Sequence, residues 1–521
     1  MKRSFVRHDI FFFSIHDPRL SDFESNYIQK KLADNLRLSY LLSMVKAEGG
    51  NGVILNSLIE PLSYSGIKRK IFRHQPYLCL FSVNYLGLSN NLQATLSIIQ
   101  KIKNDFPKIH ISLEGTFSTL NYKAILNQYN AVVDSIIVGE SEPVINKIIK
   151  AVISKKSSKL ISGIATFRNG LVVYRPNHNP FTDLNKLPQA DRSSSSKLSK
   201  INCALQVQTS RGCGSNCNFC YLNEYYRANG ACQRRERSAS NVIKEIESLL
   251  KQFSSREIWL TDEDFIGTSD NSQNRTREIA SAIINKHIQI KLIGQTSARR
   301  VKEDVLIKLK KAGLKRLFVG VESSSQNFLN YLKKGLTIKQ IQQALTTIDK
   351  VGIFCEIGFI MFHTNTTFSS IKQDIDFLYD QCVRSKKGYI QIYNLNLLVD
   401  KPDNQNLNNT QEKIDILSPP IKLIYLGISM FLLKTRRLTN IIREMSINSK
   451  AKPTLVLVKY NNKSIIACLK KMLCVVKSGE IKNEKEIYKI AEKERYKLYQ
   501  TIISDRSISQ IPIIQSLSKD L

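Results

Sequence analysis

Short apolar runs recur along the first 155 residues, with polar, helix-patterned segments between them. The runs at 10–14, 52–57, 77–83, 109–113 and 132–138 are rich in Ile, Val, Leu and Phe, which suits strands buried on both faces. Between them, segments at 24–47, 90–105, 121–129 and 143–155 carry helical patterns. Strand and helix in alternation predict a doubly wound parallel sheet, and five strands suit a flavodoxin-like order. Such sheets bind ligands outside the carboxyl ends of their strands. Here those ends carry Ser82 and Asn84, then Glu114, Gly115 and Thr116, then Gly139 and Glu140.

The pattern breaks at about 161. A hairpin is expected at 161–174, turning at Asn169 and Gly170, and Pro176, Pro180 and Pro188 then interrupt any regular element. The serines at 193–196 read as exposed linker. Alternation resumes over 203–400, with strands expected at 204–209, 257–261, 290–295, 316–321, 354–361 and 389–395. Six βα units predict a partial TIM-like (β/α)6 barrel with its chemistry at the carboxyl ends of the strands. The last 120 residues are mainly helical in pattern and carry no assignable motif. The α/β chain is therefore divided into a doubly wound domain at 1–160, a linker with hairpin at 161–200, a barrel at 201–400 and a helical region at 401–521.

Composition adds three constraints. Of the 521 residues 42% are apolar, enough for sizeable cores, yet no apolar run reaches the roughly 18 residues of a membrane span. The run at 423–433 is flanked by Lys422 and Lys434 and reads as a buried helix. At the start, Lys2, Arg3 and Arg7 precede a very short apolar stretch with Asp9 against it and no small-residue cleavage site, so a first core strand and a cytoplasmic location are expected. The formal charge of +33 invites a nucleic-acid partner, but the lysines and arginines are scattered, commonly with Glu or Asp nearby as at 482–497. That spread argues for a general compositional bias over a nucleic-acid surface.

Cysteine usage is the third constraint. Of ten cysteines, seven stand alone and three cluster in Thr209-Ser-Arg-Gly-Cys213-Gly-Ser-Asn-Cys217-Asn-Phe-Cys220-Tyr221, directly after an expected strand. Three thiolates this close can hold three irons of a cubane and leave the fourth without a protein ligand, the open position that a substrate-binding cluster needs. The competing reading is a zinc knob completed by Cys203, Cys232 or a histidine, although no second paired half exists for it.

The CxxxCxxC spacing, with Phe219 just before the last cysteine, resembles the radical S-adenosylmethionine (SAM) superfamily. That resemblance implies a [4Fe–4S] cluster on Cys213, Cys217 and Cys220. Its open iron chelates SAM, and an electron cleaves SAM to a 5′-deoxyadenosyl radical. Phe219, Glu263 in Thr261-Asp-Glu-Asp-Phe265, and Ser297 and Arg299 in Gln295-Thr-Ser-Ala-Arg299 are implied SAM neighbours. Glu322 and Ser323, in Leu317-Phe-Val-Gly-Val-Glu-Ser-Ser-Ser-Gln326, complete that set. Gly358-Phe-Ile-Met-Phe-His363 departs from the family by lacking the usual following Gly and Glu.

The first domain resembles the cobalamin-binding domains that precede many radical SAM cores, through Leu36-Arg-Leu-Ser-Tyr40, Leu113-Glu-Gly-Thr-Phe117 and Ile137-Val-Gly-Glu-Ser-Glu142. The family's DxHxxG ligand motif is absent. The resemblance implies cobalamin held without a lower histidine, with Ser82, Asn84, Gly115, Thr116, Gly139 and Glu140 as its contacts. It further implies methylation of an unactivated carbon in a small metabolite or peptide, with a flavodoxin- or ferredoxin-type electron donor. Radical ring formation, rearrangement or oxidation, and RNA modification, are the rival outcomes.

Overall fold

The computed structural model describes residues 9–15, 35–60, 62–84, 90–154, 161–177, 181–193, 204–228, 230, 234–398, 414–448, 451–515 and 517. These form two compact units: the first holds residues up to 213 together with 220–256, the second 214–219 and 257 onward.

The first unit opens with β1 (Ile10–Ser14), α1 (Leu36–Ala47), β2 (Gly52–Asn56), α2 (Tyr64–His74), β3 (Leu78–Ser82) and α3 (Asn90–Asp105). It continues with β4 (His110–Glu114), α4 (Thr116–Leu120), α5 (Tyr122–Tyr129), β5 (Ser135–Ile137), α6 (Ile145–Ile153), β6 (Ile164–Arg168) and β7 (Leu171–Tyr174). Strands β1 to β5 pair in parallel, in the order β2-β1-β3-β4-β5. The expected flavodoxin-like arrangement is thus present, with its switch of strand order between β1 and β3.

Continuous apolar strands explain the two-sided cover. Phe11, Phe13, Cys79, Phe81, Ile111 and Leu113 face one core with Ile67 and Ile71 of α2, while Phe13 stacks on Phe81 at 4.3 Å. Ile10, Phe12, Leu78 and Leu80 face the other, with Leu38, Leu41 and Leu42 of α1 and Ile145, Ile148 and Ile149 of α6.

Two features depart from the sequence pattern. The hairpin at 161–174 is not detached linker, because β6 adds antiparallel to β5 and β7 to β6, extending the sheet to seven strands. Asn169 (φ 48°) and Gly170 (φ 79°) provide the left-handed pair that a two-residue turn requires. Helix α2 was not expected, since only Ile67 and Ile71 of its basic sequence are buried and the apolar stripe is two residues wide.

The rest of the first unit is β8 (Leu205–Val207), β9 (Ser210–Arg211), α7 (Leu222–Arg227), β10 (Arg235–Glu236) and α8 (Ala239–Gln252). Strands β9 and β10 form a two-residue antiparallel ribbon, Arg211 opposite Arg235 and Ser210 opposite Glu236.

In the second unit β11 (Glu257–Leu260), β12 (Lys291–Ser297), β13 (Leu314–Glu322), β14 (Phe354–Phe362) and β15 (Ile390–Leu397) lie parallel in sequence order. Between them run α9 (Asp270–Asn285), α10 (Glu303–Lys311), α11 (Gln326–Tyr331), α12 (Ile338–Val351) and α13 (Phe368–Leu378). Expected and observed strands coincide within three residues.

The C-terminal region is helical: α14 (Pro419–Lys434), α15 (Arg436–Ile447), α16 (Ala451–Lys477) and α17 (Glu484–Ser504). Its role in the fold lies in two buried contacts. Arg443 of α15 donates to Glu356 of β14 at 2.6 Å, and Arg316 of β13 approaches the same carboxylate at 3.8 Å. Asn462 of α16 accepts from Ile392 N–H at 2.9 Å and donates to Ile390 C=O at 2.7 Å, so its carboxamide stands in for a neighbouring strand along β15. Among the described residues no helix is long and apolar enough to cross a membrane.

Candidate functional site

The clustered cysteines leave β9 through Gly212. Cys213 and Cys220 are half-buried, Cys217 is 7% exposed, and none is in a disulfide. Cys79, Cys355, Cys382 and Cys468 differ in kind: they sit in the cores, where burial pushes each thiol up. Among the described residues, only the loop brings three thiols into one short segment, two of them half-buried, the donor chemistry that a cluster asks for. Cys203 and Cys232, on which a zinc knob would rely, lie outside the described residues. Among those described, no three His, Cys, Asp or Glu side chains are set to hold a single ion.

Within the second unit the loop is seated locally. Asn218 donates from its backbone N–H to Leu332 C=O at 3.2 Å and from its side chain to Tyr331 C=O at 2.6 Å. A Cβ on Gly214 would lie 2.3 Å from Thr268 Cγ2, so a larger residue after Cys213 would have to displace Thr268. Phe219 is half-buried.

The other SAM-neighbour residues lie along the strand ends of the second unit. Glu263 and Ser297 are half-buried and Arg299 is exposed, reaching Lys334 C=O at 3.5 Å. The neighbours of Glu263 are committed to structure: Asp264 accepts from Thr296 Oγ1 at 2.7 Å and meets Arg300 at 3.4 Å. Glu322 ends β13 at φ 71°, a left-handed conformation that costs a non-glycine residue about 1–3 kcal/mol and concentrates at functional sites. Its carboxylate pairs with Lys334 at 2.6 Å, a partner that the sequence reading missed. Ser323 is buried and accepts from Ser325 N–H at 3.0 Å.

Beside Ser323 opens a cavity of about 340 Å³, bordered by Phe328, His363, Gln373 and Asp374. His363 stacks on Phe328 at 3.9 Å, and burial lowers its pKa. Asp374 of α13 accepts from Ser324 Oγ at 2.5 Å, yet burial outweighs that bond and pushes its carboxyl up to about 7. Nothing in the local sequence marks Asp374, because its setting comes from the helix packing against the ends of β13 and β14.

In the first unit the six expected corrinoid contacts fall into two groups. Asn84 donates to Ser82 Oγ at 2.9 Å and accepts from Thr116 N–H at 3.1 Å, forming a polar relay across the ends of β3 and β4 beside Gly115. Gly139 and Glu140 enter a buried charge lattice instead. Arg211 donates to Glu140 at 3.0 Å and to Glu142 at 2.6 Å, while Arg235 grips Glu140 at 2.8 and 2.9 Å. Arg37 of α1 meets Glu114 at 2.8 Å and bonds Tyr225 of α7, whose hydroxyl donates to Gly139 C=O at 3.1 Å. Burial would raise the Glu142 carboxyl, but Arg211 and Arg37 prevail and hold it at about 2. Arg37 and Arg211 lie inside Leu36-Arg-Leu-Ser-Tyr40 and Thr209-Ser-Arg-Gly-Cys213 without a role that the sequence assigns, and Arg235 falls in the basic run Arg234-Arg-Glu-Arg237 after the cysteine loop.

Residues 207–378 match the Radical SAM superfamily. An uncharacterized methyltransferase of Pyrococcus horikoshii is 24% identical over 345 residues, covering 66% of this chain and 72% of that protein. A 4′-phospho-dehydrooxetanocin synthase of Priestia megaterium is 27% identical over 369 residues, covering 66% of this chain but only 48% of its own length. Among solved structures, the cobalamin-dependent radical enzyme OxsB, with aqua-cobalamin and SAM bound, aligns over 99% of this chain and 83% of its own. Its TM-score is 0.72 at 16% identity, a likeness of fold.

Proposed function

We propose that this chain, a radical SAM enzyme by its match over 207–378, cleaves SAM reductively beside a corrinoid and methylates an unactivated carbon of a small metabolite or peptide. The observation that carries the reading is the CxxxCxxC loop, which leaves β9 of the unit that also holds a flavodoxin-like sheet and has its middle, residues 214–219, in the second unit. When bound, a [4Fe–4S] cluster supplies the electron that breaks SAM's sulfonium bond, and a corrinoid supplies a carrier for the methyl group.

The protein's part is binding and orientation. Cys213, Cys217 and Cys220 hold the cluster. Glu263, Ser297, Glu322 and Ser323 offer hydrogen-bonding groups to SAM's polar atoms, Arg299 matches its carboxylate, and Phe219 provides an apolar wall. Ser82, Asn84, Gly115 and Thr116 line the ends of β3 and β4, the edge at which a doubly wound sheet takes its ligand.

The test is anaerobic reconstitution followed by iron, sulfide and corrinoid analysis, then turnover with SAM labelled on its methyl group. Four irons, bound corrinoid, 5′-deoxyadenosine and a labelled product are expected. Corrinoid-free protein that still yields 5′-deoxyadenosine would instead support radical ring formation, rearrangement or oxidation without methyl transfer.

A further inference from the structure

Glu140 and Glu142 stand at the carboxyl end of β5, where a ligand of the first sheet would be sought, yet their oxygens face arginines. We propose that they are positioning residues for the cysteine loop, acting through Arg211, and that Glu140 is not a corrinoid contact. The proposal rests on the cluster reading above and adds a role that it does not assign.

Arg211 lies two residues before Cys213, and its guanidinium is held on three sides. Nε donates to Gln208 at 2.7 Å, Nη1 to Glu140 at 3.0 Å and Nη2 to Glu142 at 2.6 Å. A planar fork held by three separate acceptors cannot rotate without breaking at least one bond. Arg211, Glu140 and Glu142 are 5%, 2% and 3% exposed, so water offers little replacement.

The ribbon that launches the loop also depends on Glu140. Arg211 faces Arg235 directly across β9–β10, and like charges in that relation repel. Glu140 lies between them, one oxygen shared by both guanidiniums and the other bonded to Arg235. Two residues per strand do not make a self-sufficient ribbon. Neighbouring contacts tie the same turn: Arg235 donates to Phe181 C=O at 2.6 Å and Arg234 to Gly212 C=O at 3.4 Å. The departure point of Cys213 is therefore set by carboxylates some 70 residues earlier in the chain.

The test uses the full-length reconstituted protein and the variants Glu140→Gln, Glu142→Gln and Arg211→Lys, which keep volume and some hydrogen bonding. Iron content, hydroxocobalamin uptake, the reduced cluster's paramagnetic resonance spectrum with and without SAM, and 5′-deoxyadenosine formation are measured together. Circular dichroism is followed alongside, and Arg211→Lys carries the test should a glutamine variant not fold. The variants are expected to keep iron and corrinoid within twofold of wild type. They should lose the spectral change that SAM induces and form 5′-deoxyadenosine at least tenfold more slowly. Loss of corrinoid uptake by Glu140→Gln with a wild-type cluster spectrum overturns the proposal and restores Glu140 as a corrinoid contact. A parallel fall in iron and corrinoid also overturns it, since that marks a purely structural lattice. Wild-type protein without iron would fail at an earlier step, by overturning the cluster reading itself.

Discussion

Two buried carboxylates, one in each unit of this protein, meet opposite surroundings. At the end of β5 in the first unit, carboxylates are locked to guanidiniums, and Glu142 is held at about 2 by Arg211 and Arg37 against the effect of burial. At the ends of β13 and β14 in the second unit, Asp374 borders a cavity of about 340 Å³ and is hydrogen-bonded by Ser324, yet burial raises its carboxyl to about 7. A carboxylate paired with guanidiniums stays charged and fixes geometry, whereas burial makes the other hold its proton more tightly. The first arrangement suits a support and the second a binding wall.

The largest expected effect lies at the cysteine loop. Replacing Cys213, Cys217 and Cys220 together by alanine should remove the iron and lower 5′-deoxyadenosine formation more than about 100-fold, the scale of losing an indispensable group. Retained iron and an unchanged spectrum would separate the loop from the chemistry. Next comes the second unit's own locked carboxylate. Glu356→Ala leaves Arg443 and Arg316 buried without their partner and should cost about 3–5 kcal/mol in denaturant unfolding. A loss below about 1 kcal/mol would show that this buried ion cluster is dispensable to stability.

Asp374 sharpens the contrast through pH. Its folded pKa, about 7, stands above its ordinary value of 3.8, so the native state holds the proton more tightly. The stability contributed by the neutral acid is full below about pH 4 and is lost as pH rises through about 7. The difference amounts to as much as about 4 kcal/mol. Unfolding free energies measured across that window should fall in the wild type and stay flatter in Asp374→Asn; equal slopes would mean that the carboxyl is already paired. The smallest effect concerns the edge of β15. Asn462→Ala unpairs Ile392 N–H and Ile390 C=O and should cost about 1–3 kcal/mol, with faster hydrogen exchange at Ile392.

Much of this was legible in order along the chain. Strands and helices followed from apolar runs and helical spacing, because those patterns express which face of a local element is buried. Asn169 and Gly170 marked their turn because few residue pairs adopt its left-handed backbone. The cysteine loop disclosed itself because its three donors come from one short segment. The tertiary structure alone decided that the hairpin would extend the first sheet, that Asn462 would cap β15, and that Asp374 would be buried against Ser324. It alone decided that Arg211 and Arg235 would share Glu140, at sequence separations of 71 and 95 residues. The physical reason is one of range. Periodicity and turn chemistry act between neighbours in sequence, whereas an ion pair or an edge cap depends on which side chains packing brings within about 3 Å of each other, and nothing in either local segment records that meeting.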